Sequence, residues 1–213
     1  MKEKIKEFII KNLKWIILFI CLIGFFALAE DVFNKELMNG DIIGYKIVST
    51  FLISDFATPI AKFVTNFGGA IFLIVLTIVL VILIKNKKIG ISIFSNLVII
   101  TILNQLIKRI LQRPRPTEYR IIEETGYSFP SGHSMVSMAF YGYLIYLIYK
   151  YVKNKYLKWI SIVLLSILIC SIGVSRIYLG VHYTSDVLGG FLLSISYLVI
   201  YISAVNKFLI KDK

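Results

Sequence analysis

The run from Gly68 to Ile84 holds no charged residue, and after Lys85-Asn-Lys-Lys88 a second uncharged run extends from Gly90 to Ile107. About 17 to 25 mainly apolar residues in an α-helix reach across the hydrocarbon core of a bilayer, where each backbone N–H and C=O must be paired within its own segment. Two such runs joined by a short lysine-rich block predict a helical hairpin with its turn at the membrane surface. Comparable stretches at Trp15–Ala29, Ser131–Tyr149, Trp159–Val174 and Val187–Val205 bring the expected spans to six. The predicted fold class is all-α, a polytopic membrane bundle of six transmembrane helices. A hydrophobic content of 58% and a mean hydropathy of +0.81 exclude a water-soluble globule. No linker, repeat or low-complexity tract divides the chain, so residues 1–213 are expected to form one integral-membrane domain.

Residues 30–58 break the pattern, with five acids against two lysines. Ile43, Ile47 and Phe51 recur there at helical spacing, which predicts an amphipathic helix lying on the membrane in the first outer loop. The segment before it, ending Ala27-Leu-Ala29, has the small-residue pattern of a secretory cleavage site. It is read as the first span, because its removal would leave an odd number of helices.

The formal charge of +12 does not point to nucleic acid, since the lysines fall in short blocks between apolar runs rather than along one polar surface. Membrane orientation explains them. Fifteen lysines lie in the N-terminus, the 85–88 and 150–158 connections and the C-terminus, against nine cations on the opposite side. The positive-inside rule then places both termini in the cytoplasm of a cell (inner) membrane. Trp15 and Trp159, each following a lysine, suit the inner interface. Cys21 and Cys170 lie within apolar runs and are expected to be inert buried thiols.

One charge cluster opposes this orientation. All five arginines (Arg109, Arg113, Arg115, Arg120, Arg176) fall on the outer side, as do the only two histidines, His133 and His182. Lys108 through Arg115-Pro116 ends the third span and Pro130-Ser-Gly-His133 begins the fourth. Ser175-Arg176, His182 and Asp186 return to the same side two spans later. Each part suits an anion for its own reason. Lys108 and Arg115 are seven residues apart, about two helical turns. Pro130 can open a helix whose free N–H groups at Ser131, Gly132 and His133 face a phosphate. His182 and Asp186, spaced i,i+4, allow the carboxylate to hold one ring nitrogen and leave the other as nucleophile or base. Any one of these has an ordinary explanation: Lys108 and Arg109 as snorkelling cations, His133 as an interfacial residue, Asp186 as a helix cap. Their convergence on one side of the membrane does not.

Together these motifs resemble the three-part signature of the type-2 phosphatidic-acid phosphatase superfamily, over roughly residues 60–205. Arg113-Pro114 offers a second Arg-Pro pair, but the family spacing selects Arg115. The resemblance implies that His182 attacks phosphorus to form a phosphohistidine, that Asp186 orients it, and that His133 protonates the leaving oxygen and later activates water. It implies that Lys108, Arg115, Ser131, Gly132 and Arg176 hold the phosphoryl oxygens, with no metal and no cofactor. The implied activity is hydrolysis of a phosphate monoester or diphosphate on a membrane lipid, with polyprenyl (undecaprenyl) diphosphate, phosphatidylglycerol phosphate and phosphatidic acid as candidates. The site would lie at the extracytoplasmic face. Its partners would be the lipid substrate and the bilayer; no obligate protein partner is inferred. An anion transporter would not need the His182–Asp186 pair, and a six-span serine protease would not need three cations. A zinc site would be opposed by the surrounding lysine and arginine.

Overall fold

Several helices begin where the sequence supplies a capping side chain. Asn86 and Asn154 accept hydrogen bonds from the N–H groups of Lys88 and Leu157, each at 3.0 Å, and so start the helices after the two lysine-rich turns. At another start, the Asp186 carboxylate accepts from the N–H of Tyr183 at 2.8 Å. The computed structural model describes residues 2–36 and 38–210, with side chains from residue 12 onward. Among them it contains helices and no strand. In order these are α1 (Lys2–Phe33), α2 (Asn39–Phe51), α3 (Ala57–Asn66), α4 (Ala70–Leu83), α5 (Lys87–Leu111), α6 (Gly132–Tyr151), α7 (Lys155–Tyr178) and α8 (Thr184–Phe208).

Helix α6 occupies the middle, packed on α5, α7 and α8; α1 lies along α8, α4 along α5, α3 against α7, and α2 across α7 and α8. Phe140, Tyr143 and Ile172 fill one apolar core with Leu73 and Ile93, and Phe25, Ile100, Phe129 and Met135 fill a second. Gly190 brings α8 against the first turn of α6. A Cβ there would stand 3.1 Å from the Met135 nitrogen and 3.2 Å from the Ser131 carbonyl oxygen.

Four helices, α1 from Asn12 onward, α5, α7 and α8, are long and apolar enough to cross a membrane, so the chain is a multi-pass membrane protein. The pair α3 and α4 makes a fifth crossing if counted as one, and here the structure departs from the span expected over 68–84, since α4 covers only Ala70–Leu83 and α3 precedes it across a break. The two helices meet at 50°. The break falls at Gly68-Gly69, where Gly68 is packed so tightly that a Cβ would come within 2.7 Å of Ile172. α6 is not among the helices apolar enough to count as a span by composition, and its polar side chains Ser134, Ser137, Tyr141 and Tyr143 are all buried in the bundle.

Within the first loop, α2 turns Asp41 and Val48 inward and exposes Ile43, Ile47 and Phe51. Its apolar stripe therefore points away from the protein. Of the two cysteines, Cys21 is buried as expected, whereas Cys170 is exposed on α7, because only one face of that helix packs inward.

Two glycines with positive φ separate backbone strain from crowding. Gly126 (φ +75°) has open space around its Cβ position, whereas at Gly180 (φ +68°) a Cβ would lie 2.1 Å from the Tyr119 carbonyl oxygen. Gly126→Ala should cost only about 1–2 kcal/mol from the left-handed backbone. Gly180→Ala should cost clearly more. Thermal unfolding in detergent checks this, and equal shifts would show that the contact at Gly180 relaxes freely.

Candidate active site

The end of α5, the 112–131 loop, the starts of α6 and α8 and the end of α7 come together at one end of the bundle. Between them opens a cavity of about 510 Å³. Lys108, Arg115, Gly132, His133 and His182 all line it, so the three sequence clusters do converge. Leu73, Ile74 and Leu97 from α4 and α5 form its apolar wall.

His182 sits in the short turn between α7 and α8 and is 3% exposed. Its Nδ1 lies 3.2 Å from Asp186 Oδ2 and its Nε2 lies 2.9 Å from Arg115 Nη1. A guanidinium can only donate, so Nε2 is the acceptor, and the neutral ring carries its proton on Nδ1, facing Asp186. Burial pushes the His182 pKa down to about 4, and Arg115 and Arg176 push the same way against the pull of Asp186. The ring is therefore neutral at physiological pH, and its Nε2 lone pair is held by the Arg115 guanidinium.

Asp186 is wholly buried and fully engaged. Oδ1 accepts from Arg113 Nη1 at 2.7 Å, and Oδ2 accepts from Ser128 Oγ and the Tyr183 N–H as well as meeting His182. Its backbone carbonyl accepts the Ser131 N–H at 3.0 Å. This corrects the expectation that the Ser131 N–H faces an anion. The Ser131 hydroxyl is also turned inward, accepting from the N–H of Ser134 at 3.4 Å as the cap of α6. Gly132 and His133, the first residues of α6, are the ones that line the cavity.

The cations are held by backbone oxygens and one acid. Lys108 Nζ donates to the carbonyls of Tyr127 and Ser128. Arg115 is fixed by the carbonyls of Thr125, Gly126 and Val181. Arg176, 1% exposed, spans Thr65 Oγ1 (2.8 Å) and the Glu124 carboxylate, while its Nε has no protein partner. Among the described residues, no group of three His, Cys, Asp or Glu side chains converges as a metal would require.

The two Arg-Pro pairs separate in space. Arg115 reaches the cavity, whereas Arg113 turns behind it to bridge Asp186 and Asp41 of α2, both at 2.7 Å. Burial works against the Arg113 charge, but the two carboxylates outweigh it and hold the guanidinium more firmly protonated than usual. Asp41, Glu124, Ser128 and Thr65 escaped the sequence reading. Ser128 sits within the motif Ser128-Phe-Pro-Ser-Gly-His133, so a signal existed for it. Asp41 lies in the acid-rich first loop and shares no spacing with the histidines.

The chain has relatives among known proteins. The family model described as the PAP2 superfamily matches residues 89–210, and the chain belongs to that superfamily. It is 38% identical over 96 residues to phosphatidylglycerophosphatase B of Bacillus subtilis, a match that spans 44% of this chain and 47%, about half, of that protein. It is 29% identical over 182 residues to the undecaprenyl-diphosphatase of Sulfolobus acidocaldarius, covering 82% of this chain and 80% of that one. The crystal structure of a transmembrane PAP2-type phosphatidylglycerolphosphate phosphatase from Bacillus subtilis superposes with a TM-score of 0.79 over 90% of this chain and 96% of that one. At 24% identity that likeness is one of fold.

Proposed function

We propose that this chain is a lipid phosphate phosphatase that works through a phosphohistidine on His182. The observation that carries this is the orientation of His182, whose Nδ1 is tied to Asp186 while its Nε2 faces a cavity lined by Lys108, Arg115, Gly132 and His133. The names of the two relatives, one acting on phosphatidylglycerophosphate and one on undecaprenyl diphosphate, agree with it.

In this scheme a terminal phosphate displaces Arg115 from the ring nitrogen and takes its place among the cations. Nε2 attacks phosphorus, the bond from phosphorus to the lipid-side oxygen breaks, and His133 gives that oxygen its proton. His133 then takes a proton from water. The water oxygen attacks phosphorus as the P–N bond breaks, which restores His182 and releases inorganic phosphate. Lys108, Arg115 and Arg176 neutralise charge on the equatorial oxygens, with the free Nε of Arg176 as one donor and the Gly132 N–H as another. Ser131 holds the turn rather than the phosphate. The apolar wall of α4 and α5 suits the first carbons of a lipid tail.

The scheme includes six crossings: α1, the bent α3–α4 pair, α5, α6, α7 and α8. α6 has 20 residues, about 30 Å of helix, and its polar atoms face protein rather than lipid. The fifteen lysines of one side support a topology with the termini in the cytoplasm, the site at the outer face, and α2 on the outer surface with its apolar stripe in the bilayer. An outward site favours polyprenyl diphosphate, which is left on the outer leaflet after a carried polymer is handed over, over a lipid phosphate made inside.

Purified protein in detergent, offered polyprenyl diphosphate, phosphatidylglycerol phosphate and phosphatidic acid in EDTA, should release inorganic phosphate from at least one. Vanadate should block the release, and His182→Asn should reduce it at least about 10³-fold. No release from any of the three, or activity lost in EDTA and restored by Mg²⁺, would overturn the proposal. Topology has its own check. Thr117 is exposed in the 112–131 loop, so Thr117→Cys in a Cys21→Ser, Cys170→Ser background should react with an impermeant thiol reagent on intact cells. Reaction only after lysis would place the site inside.

A further inference from the structure

Asp41 and Arg113 are buried charges that no step of this mechanism uses. They are 3% and 7% exposed, yet they make close, two-ended contacts. Asp41 accepts from Arg113 Nη2 (2.7 Å), the Ser185 N–H (2.8 Å) and Ser185 Oγ (2.9 Å); Arg113 Nη1 donates to Ser185 Oγ and Asp186 Oδ1, each at 2.7 Å. The Arg113 guanidinium also lies 4.1 Å over the Tyr183 ring, which fixes its plane. A guanidinium offers its donors in a rigid planar fork, so one that is satisfied at both ends holds each carboxylate at a set distance and angle.

We infer that Arg113, anchored by Asp41 on α2, is a positioning residue for the reaction: it holds Asp186 with Oδ2 on His182 and sets how much of that carboxylate's negative charge the histidine receives. This rests on the phosphatase reading for its kinetic consequence only. The geometry gives it two effects. Mechanically, Arg113 on Oδ1 and Ser128 on Oδ2 stop the carboxylate from rotating away from the imidazole. Electrostatically, the Arg113 cation draws on the same carboxylate that steadies a positive His182, while Asp41 partly cancels that cation. Arg113 and Asp41 therefore act on His182 with opposite signs.

Among the other groups facing His182, Arg176 and Glu124 of the 112–131 loop form a second cation–carboxylate pair. Asp186 meets it from α8, Ser128 and Arg115 from the 112–131 loop, and Tyr183 adjoins it in sequence. Arg176 acts from α7, and Lys108 on α5 and His133 on α6 line the same cavity. Asp41 on α2 reaches it only through Arg113 and Ser185.

The sequence has two histidines, so protein labelled at histidine ¹³Cε1 gives two resonances, and His133→Gln leaves His182 alone. In that background Arg113→Gln should raise the His182 titration midpoint by about 1 pH unit or more, whereas Asp41→Asn should lower it. Arg113→Lys should leave the midpoint near that of the unaltered ring. With His133 present, Arg113→Gln should cut kcat about 10- to 100-fold, the scale on which losing the partner of a working side chain is felt at metal-bound histidines, while KM stays within about twofold. Arg113→Lys should recover part of kcat. Should Arg113→Gln not fold, Asp41→Asn, which keeps the shape of Asp41 and one of its two acceptor oxygens, and Arg113→Lys carry the same test. Midpoints that move together or not at all, or a rise in KM at unchanged kcat, would overturn the inference. The resonance titration needs no substrate, so it stands apart from phosphate release by the unaltered chain, which tests the phosphatase reading.

Discussion

Four pieces of chain at the working end of this bundle meet, directly or through Arg113, on Asp186. A buried carboxylate is tolerated only when its charge and lone pairs are matched, and removing one partner of such a pair typically costs about 3–5 kcal/mol. Asp186 receives Arg113 on one oxygen and Ser128, Tyr183 and His182 on the other, and its carbonyl takes the N–H of Ser131. Through those contacts it ties together the 112–131 loop, the start of α6 and the α7–α8 turn, and through Arg113 and Asp41 it reaches α2. One charged group thus aligns four separate pieces of chain.

The position of this network follows from the membrane. Irregular backbone within a bilayer-spanning protein survives only where protein or a wet cavity can satisfy it. The loops that carry Ser128, Arg115 and His182 satisfy their carbonyls with Lys108 and Arg115, so the cations that face the cavity also hold its walls. A cation braced by neutral carbonyls keeps its full charge for an incoming anion, unlike one already paired with an acid. Arg176 differs, being shared with Glu124, and a phosphate must compete with that carboxylate.

A multi-pass helical bundle was legible in the sequence because bilayer crossing fixes segment length, and so was the meeting of histidines and cations at one end, because span parity brings their helix ends to one side. The bend at Gly68-Gly69 was not legible. It depends on how closely α3 approaches Ile172 of α7, a contact between residues remote in sequence. A serine beginning a helix can either cap it or face a ligand, and the packing of α8 on α6 gives the Ser131 N–H to the Asp186 carbonyl and the hydroxyl to the cap of α6. The two Arg-Pro pairs look alike in sequence. The fold sends Arg113 to the Asp186 carboxylate and Arg115 to the far ring nitrogen of His182. Asp41 had no sequence signal, since its partner lies 72 residues away.

The central claim is that His182 becomes covalently phosphorylated and that His133 serves both halves of the reaction. With p-nitrophenyl phosphate, whose leaving group needs little protonation, His133→Ala should still form the intermediate but hydrolyse it slowly, because no base activates water. A base quench of that variant with ³²P-labelled substrate should therefore trap acid-labile, base-stable label on the peptide containing His182. The same experiment on His182→Asn should trap none. Label on another residue, or phosphate released from the His133→Ala variant as fast as from the unaltered protein, would contradict the account.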